Sequence, residues 1–258
     1  MSELEVSIIT VCYNAEEFIQ QCMESVLLQD FEKFEYIVID GGSTDGTINI
    51  IKKYQESLAY WHSKPDRGLS HAFNQGLEQA KGEWVIFLNA DDYFANNSVL
   101  REMSEHLRVN MDQDVVFGQL QRVARDHHFA AVEPPYGRLF VWHEFLKRNT
   151  IPHPTSFINR SFFQRVGGFD ERYTIAMDYE FFLRGGSNLK ARFIPGVVTC
   201  MRDGGVSRAS RFDAMDEFFR AVKQHKASSN VLVFLYISYF KLRLVLRELL
   251  VKMHVLSE

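Results

Sequence analysis

The sequence predicts an α/β protein: a Rossmann-like, mainly parallel sheet flanked by helices, with a C-terminal helical extension. Three observations lead there. Short apolar runs rich in β-branched residues recur early in the chain, helix-length segments separate them, and two of the runs end in turns rich in Asp, Gly or Asn. Strands that alternate with helices at this spacing pair in parallel and are covered on both faces.

Residues 6–11 form the first buried strand, and Asn14 is placed to cap a helix from about Glu16 to Leu28. The second strand, 36–40, runs into Gly41-Gly42-Ser43-Thr44-Asp45-Gly46, and a helix follows to about Tyr54. Residues 58–62 read as a third strand and 69–80 as a third helix, stopped by Gly82. The fourth strand, 84–88, leads straight into Asn89-Ala90-Asp91-Asp92, and another helix starts near Ser98. Beyond about Asn110 the alternation fades. Residues 115–132 read as one or two antiparallel strands, Pro134-Pro135 breaks the chain, 156–159 is a strand, and 161–166 and 178–184 are short helices. The expected division is a regular half (1–110), a less regular half (111–205) and a helical extension (206–258).

A chain of 258 residues can bury a substantial core. Its 22 Phe point to aromatic packing or aromatic-lined pockets. A net charge of -4 supplies no broad basic field, which argues against nucleic acid as the main partner. Cys12, Cys22 and Cys200 are too scattered for a metal site and read as reduced thiols. The first residues lack the basic and apolar regions of a signal peptide, and no apolar stretch reaches the roughly 18 residues of a spanning helix. A cytoplasmic protein is expected.

In an open parallel sheet, ligands bind beyond the carboxyl ends of the strands. Asp40 ends the second strand, and Asp91 and Asp92 follow the fourth, so three carboxylates share one rim. One carboxylate there can accept hydrogen bonds from a base or ribose. An adjacent pair suits a hard divalent cation bridging to a diphosphate. Neither Gly-x-x-x-x-Gly-Lys nor Gly-x-Gly-x-x-Gly is present, against P-loop and dinucleotide readings.

Several motifs in order now resemble one family. Ser7-Ile8-Ile9-Thr10-Val11-Cys12-Tyr13-Asn14, Ile39-Asp40-Gly41-Gly42-Ser43-Thr44-Asp45-Gly46-Thr47, Pro65-Asp66-Arg67-Gly68 and Phe87-Leu88-Asn89-Ala90-Asp91-Asp92 are similar to motifs of family-2 glycosyltransferases of GT-A fold. Gly167-Gly168-Phe169-Asp170-Glu171 and Ala176-Met177-Asp178-Tyr179-Glu180 resemble the acceptor-side motif, so the likeness spans roughly residues 5–210.

The resemblance implies roles, with 1–110 the nucleotide-sugar-binding half of the GT-A domain and 111–205 its acceptor-binding half. Thr10, Tyr13 and Asn14 would line the nucleoside pocket, Asp40 would receive a uracil N–H, and Asp66 would sit beside base and ribose. Asp91 and Asp92 would form the metal motif for Mn2+ or Mg2+, with Asp92 the direct ligand and Asp91 also on the nucleotide side. Asp178 matches the base of an inverting displacement. Met177 stands where the family has Glu, so that Glu's supporting role is lost or passed to Glu180. Lys64 and His71 also depart, each replacing an acidic residue. No Gln-x-x-Arg-Trp motif of processive polymerases occurs, which implies transfer of one sugar from a nucleoside-diphosphate sugar, UDP by family likeness, to a saccharide or lipid-linked acceptor.

Plainer readings stay open beside these. Asp40 can cap the following helix, Asp91-Asp92 can cap the helix near Ser98 although Asn97 can serve instead, and Asp178 can be an ordinary first-turn carboxylate. His153, Glu180 and Arg208 are candidate acceptor or phosphate contacts, the last in Gly204-Gly205-Val206-Ser207-Arg208, a loop that could close over a diphosphate. Residues 231–240 are apolar, and Lys241, Arg243, Arg247 and Lys252 interleave with apolar residues beyond them. That tail suits the inner face of an anionic membrane, packing on the core, or a homodimer contact. Rival functions are a sugar nucleotidyltransferase, disfavoured by the absence of a basic Gly-rich loop after strand one, and a non-catalytic nucleotide-sugar-binding partner.

Overall fold

Alternate residues of the first strand, β1 (Val6–Cys12), face opposite sides and meet different cores. Ile9 and Val11 join one apolar cluster, while Val6, Ile8 and Cys12 join the other. The same alternation recurs in β2 (Phe34–Asp40), where Ile37 and Ile39 face the first cluster and Tyr36 and Val38 the second. Strands buried on both faces are mostly apolar, as these are, and their buried polar residues find partners inside, Ser7 Oγ donating to Glu35 Oε1 and Tyr36 Oη to Thr10 Oγ1. Each fully buried side chain contributes about 1.5–3 kcal/mol relative to exposure.

The structure is a computed structural model describing residues 4–124, 135–203 and 211–225, with positions 235, 238, 239, 242, 243 and 245 of a further helical stretch. The remaining strands are β3 (Tyr60–Ser63), β4 (Trp84–Asn89), β5 (Asp92–Phe94), β6 (Val115–Val123), β7 (Ser156–Asn159) and β8 (Ala191–Arg202). They form one sheet in the order β3-β2-β1-β4-β7-β6-β8-β5. The first four in that order run parallel, and β7 enters antiparallel against β4. The α-helices are α1 (Ile19–Leu27), α2 (Thr47–Lys53), α3 (Leu69–Gln79), α4 (Val99–Val109), α5 (Trp142–Phe145), α6 (Arg160–Val166), α7 (Met177–Leu183) and α8 (Arg211–Gln224). Helices α1, α2 and α4 cover one face, and α3, α6, α7 and α8 the other. Among the described residues no helix is long and apolar enough to cross a membrane.

The structure corrects several expectations. Asn14 does not cap α1: it takes a left-handed φ of 48°, and its Oδ1 accepts from Thr44 N at 2.9 Å, joining the turns after β1 and β2. Gly82 is required by close approach, since a Cβ there would meet Ser7 N at 2.5 Å, rather than by the end of α3. Asp92 belongs to β5, so neither it nor Asn97 caps α4; Ser98 precedes that helix, and Ser98 N donates to Asn96 Oδ1. The predicted strand over 115–132 is β6 to Val123, antiparallel to β7 but parallel to β8. Residues 125–134 and 204–210, the latter containing Arg208, lie outside the described residues.

Candidate active site

The rim beyond β1 and β4 opens into a cavity of about 560 Å³. Its wall includes Tyr13, Asn14, Asp91, Asp92, His153 and Asp178, so six of the predicted site residues meet at one cavity. They come from different parts of the sheet. Tyr13 and Asn14 follow β1, the acidic pair follows β4, His153 precedes β7, and Asp178 lies in the first turn of α7.

The turns after β1 and β2 at the rim are stitched by side chain to backbone bonds. Ala15 N donates to Thr47 Oγ1 at 2.8 Å and Gly46 N to Glu16 Oε2 at 2.9 Å, fixing the loops after β1 and β2 against each other. Tyr13 stands out from them, 63% exposed. Asp40 is fully buried, and its oxygens accept from Gly42 N, Ser43 N, Ser43 Oγ and Ser63 Oγ. It therefore anchors the turn; a base N–H would have to share or displace one of these donors. Asp66 lies across from Gly41, where a Cβ would meet its Oδ2 at 2.5 Å, and accepts from Gly68 N at 2.8 Å. Thr10 does not reach the cavity wall: it is buried beneath α1, with its Oγ1 accepting from Tyr36 Oη at 3.0 Å.

The acidic pair is asymmetric. Asp92 is 1% exposed, Asn89 Nδ2 donates to its Oδ2 at 3.2 Å, and its buried Oδ1 has no hydrogen-bond partner. Burial, then the neighbouring charge of Asp91, pushes the Asp92 carboxyl well above the ordinary carboxylate range. An orphaned buried carboxylate oxygen beside a second carboxylate fits a divalent cation. Among the described residues no three His, Cys, Asp or Glu side chains gather for such an ion, so a bound diphosphate would have to complete its shell. Arg202, from the end of β8, donates to the Asp91 carbonyl and to Gln21 Oε1 and lies 4.8 Å from the centroid of the Phe18 ring. Nothing in the sequence pattern marked it, because β8 contains Pro195 and Gly196 and escaped recognition as a strand.

Asp178 sits deep in the wall yet keeps some contact with solvent. Burial raises its carboxyl to about 6, against the opposing donors Tyr179 N at 2.8 Å and Asn149 Nδ2 at 2.7 Å. His153 is 8% exposed, stacks on Phe87 at 5.5 Å and leaves Nε2 unpartnered; burial lowers it to about 4, so the ring is neutral. Glu180 faces away from the cavity, bound by Arg184 at 2.5 Å and His225 at 2.6 Å. It is in no position to replace the Glu absent at Met177, whose sulfur accepts from Ser70 Oγ at 2.9 Å.

Helix α7 has no side-chain cap from its own sequence. Glu217 of α8 instead holds the segment that leads into it, accepting from Thr174 N at 2.9 Å, Ile175 N at 2.9 Å and Ala176 N at 2.8 Å. Burial alone would raise the Glu217 carboxyl, but these donors outweigh it and hold it below its ordinary value. Phe218 stacks on Tyr179 beside it, ring centroids 3.7 Å apart. These long-range partners carry no local sequence signal.

A model of the domain described as "Glycosyl transferase family 2" matches residues 7–171. An uncharacterized glycosyltransferase of Mycobacterium tuberculosis is 34% identical over 183 residues, covering 69% of this chain and 68% of the relative. A PGL/p-HBAD biosynthesis glycosyltransferase of Mycobacterium bovis is 30% identical over 207 residues, 78% of each chain. Among solved structures, S. aureus TarS 1-349 in complex with UDP-GlcNAc aligns with a TM-score of 0.69 at 21% identity, over 86% of this chain and 65% of that one. Mannosyltransferase PcManGT from Pyrobaculum calidifontis, in complex with GDP-Man and Mn2+, aligns with a TM-score of 0.65 at 21% identity, over 88% and 65%. The chain thus spans less than two thirds of those two structures, and at such identity the likeness is one of fold, GT-A.

Proposed function

The chain belongs to glycosyl transferase family 2 and is a glycosyltransferase, and from that premise we propose that it transfers one sugar, with inversion, from a UDP-sugar to a hydroxyl of a saccharide or lipid-linked saccharide. The observation that carries this reading is the single cavity shared by Asp91, Asp92 and Asp178. Asp178 takes the proton of the acceptor hydroxyl as that oxygen attacks the anomeric carbon, and the nucleoside diphosphate leaves from the opposite face. A carboxyl held at about 6 is ionised at neutral pH yet more basic than an exposed one, which suits a general base. Asp91 and Asp92 would hold Mn2+ or Mg2+, which when bound neutralises charge on the departing diphosphate. Tyr13 and Asn14 on the cavity wall, with Asp66 beside Gly41, would take the nucleoside, and the neutral His153 offers its unpartnered Nε2 to acceptor or phosphate. Leu235, Tyr239 and Leu242 are exposed helical positions spaced four and three residues apart, which supports contact of the tail with a membrane surface.

Calorimetric titration of UDP, GDP, dTDP and CMP, with and without Mn2+, into wild type and Asp92→Ala tests the donor site. We expect one nucleoside diphosphate to bind with metal enhancement that the variant loses. Absence of binding by every nucleotide to folded protein would defeat the proposal.

A further inference from the structure

We propose that Asn149 is a positioning residue for the reaction: its carboxamide fixes the Asp178 carboxylate in the cavity wall and favours its proton-accepting form. The inference rests on the reading of Asp178 as base and explains how that base operates without an acidic residue before it.

The orientation of the Asn149 amide is determined by two contacts. Its Oδ1 accepts from Ile151 N at 3.2 Å, and its Nδ2 donates to Asp178 Oδ2 at 2.7 Å. A flipped amide would set oxygen against carboxylate and NH2 against N–H, losing both bonds. The other carboxylate oxygen, Oδ1, accepts from Tyr179 N at 2.8 Å. Each oxygen is therefore held by one donor and retains a lone pair for a proton. The segment bearing Asn149 is itself tied to α7, since Tyr179 Oη donates to Leu146 O at 3.1 Å, and Ile151 is fully buried. Both Asn149 and Asp178 line the cavity, so the bond sits where an acceptor would approach.

Among the described residues Asn149 is the one side chain that hydrogen-bonds to Asp178. On α7, on α8 and just beyond it stand Glu180, Glu217, Arg220 and His225, which are engaged with Arg184, the 174–176 backbone, Arg172 O and Glu180 respectively. Elsewhere on the cavity wall stand His153, Asp91, Asp92, Arg122, Arg202 and Asp203, and none hydrogen-bonds to the Asp178 carboxylate. A donor to the ionised form stabilises that form against the desolvation acting on it.

The test uses the full chain labelled with carboxyl-13C aspartate. Asp178 is assigned by the resonance missing in Asp178→Asn, and its titration midpoint is followed in wild type, Asn149→Ala and the isosteric Asn149→Asp. We expect the midpoint to rise by about one pH unit in Asn149→Ala and further in Asn149→Asp, where a like charge is added. Release of nucleoside diphosphate from UDP-glucose, UDP-N-acetylglucosamine and GDP-mannose, with water as acceptor, should show its acid limb moving the same way while UDP affinity stays constant. A midpoint unmoved in both Asn149 variants, with Asp178→Asn inactive, overturns the role of Asn149 and leaves the base standing. Undiminished release by Asp178→Asn removes the base, and Asn149 then has no proton acceptor to position.

Discussion

Replacing the proposed base should stabilise the protein at neutral pH while abolishing turnover. Burial lifts the Asp178 carboxyl from an ordinary 3.8 to about 6, so the folded state binds its proton more tightly than the unfolded chain. That contribution is fully present below about pH 4 and is lost as pH rises through about 6. The loss is about 3 kcal/mol, reduced to about 2 kcal/mol because the group touches solvent in the cavity. Asp178→Asn removes this penalty but turns one acceptor oxygen into a donor, forfeiting a hydrogen bond of about 1 kcal/mol. The net gain at pH 8 is about 1 kcal/mol, a Tm increase of about 2–4 °C for a chain of this size. At pH 4 only the lost bond remains, and the variant should melt about 2–4 °C below wild type. Thermal melts of both proteins at the two pH values measure the swing directly. A difference in Tm that does not grow from pH 4 to pH 8 would refute the claim that the fold holds a destabilised carboxylate at position 178.

Two further substitutions probe the rest of the site. Gly41→Ala places a Cβ where the Asp66 carboxyl lies, 2.5 Å from Oδ2, and a flexible side-chain end can swing aside at little cost. We expect Tm within about 1 °C of wild type but UDP affinity about tenfold weaker by calorimetry, since one displaced charged hydrogen bond is worth about that much; unchanged affinity would remove Asp66 from the nucleoside site. Glu217→Ala frees three backbone N–H groups before α7 and should cost about 1–2 kcal/mol of stability in urea titration. It should lower turnover more than nucleotide affinity, and equal losses in both would count against a local effect on Asp178.

The parallel half of the sheet was legible because it is written locally. Residues 6–11, 36–40 and 84–88 are apolar and β-branched enough to form buried strands, and the carboxylates that close two of them fall on the rim by topology alone. The antiparallel half was not. Strand β5 has three residues, too few for a period, and β8 is interrupted by Pro195-Gly196 and meets β6 through register shifts. Site chemistry divides the same way. The identity and order of the acidic positions were readable, but whether each faces the cavity was not: Asp40 at the end of strand two and Thr10 near the end of strand one held similar promise and are both satisfied internally. Asn149, Arg202 and Glu217 act through partners 29, 111 and 41 to 43 positions away, a range at which no local pattern operates.

The tie between Glu217 of α8 and the backbone before α7 also sets an order of events during synthesis. The chain emerges from its N-terminus, and the turns after β1 and β2 can join early through their own contacts, whereas Asp92 waits for its strand partner Met201. The segment leading into the helix that bears Asp178 stays without the Glu217 carboxylate until position 217 has cleared the ribosome. A nascent chain would then join the turns after β1 and β2 first, pair the strand of Asp92 next, and tether the segment before Asp178 last.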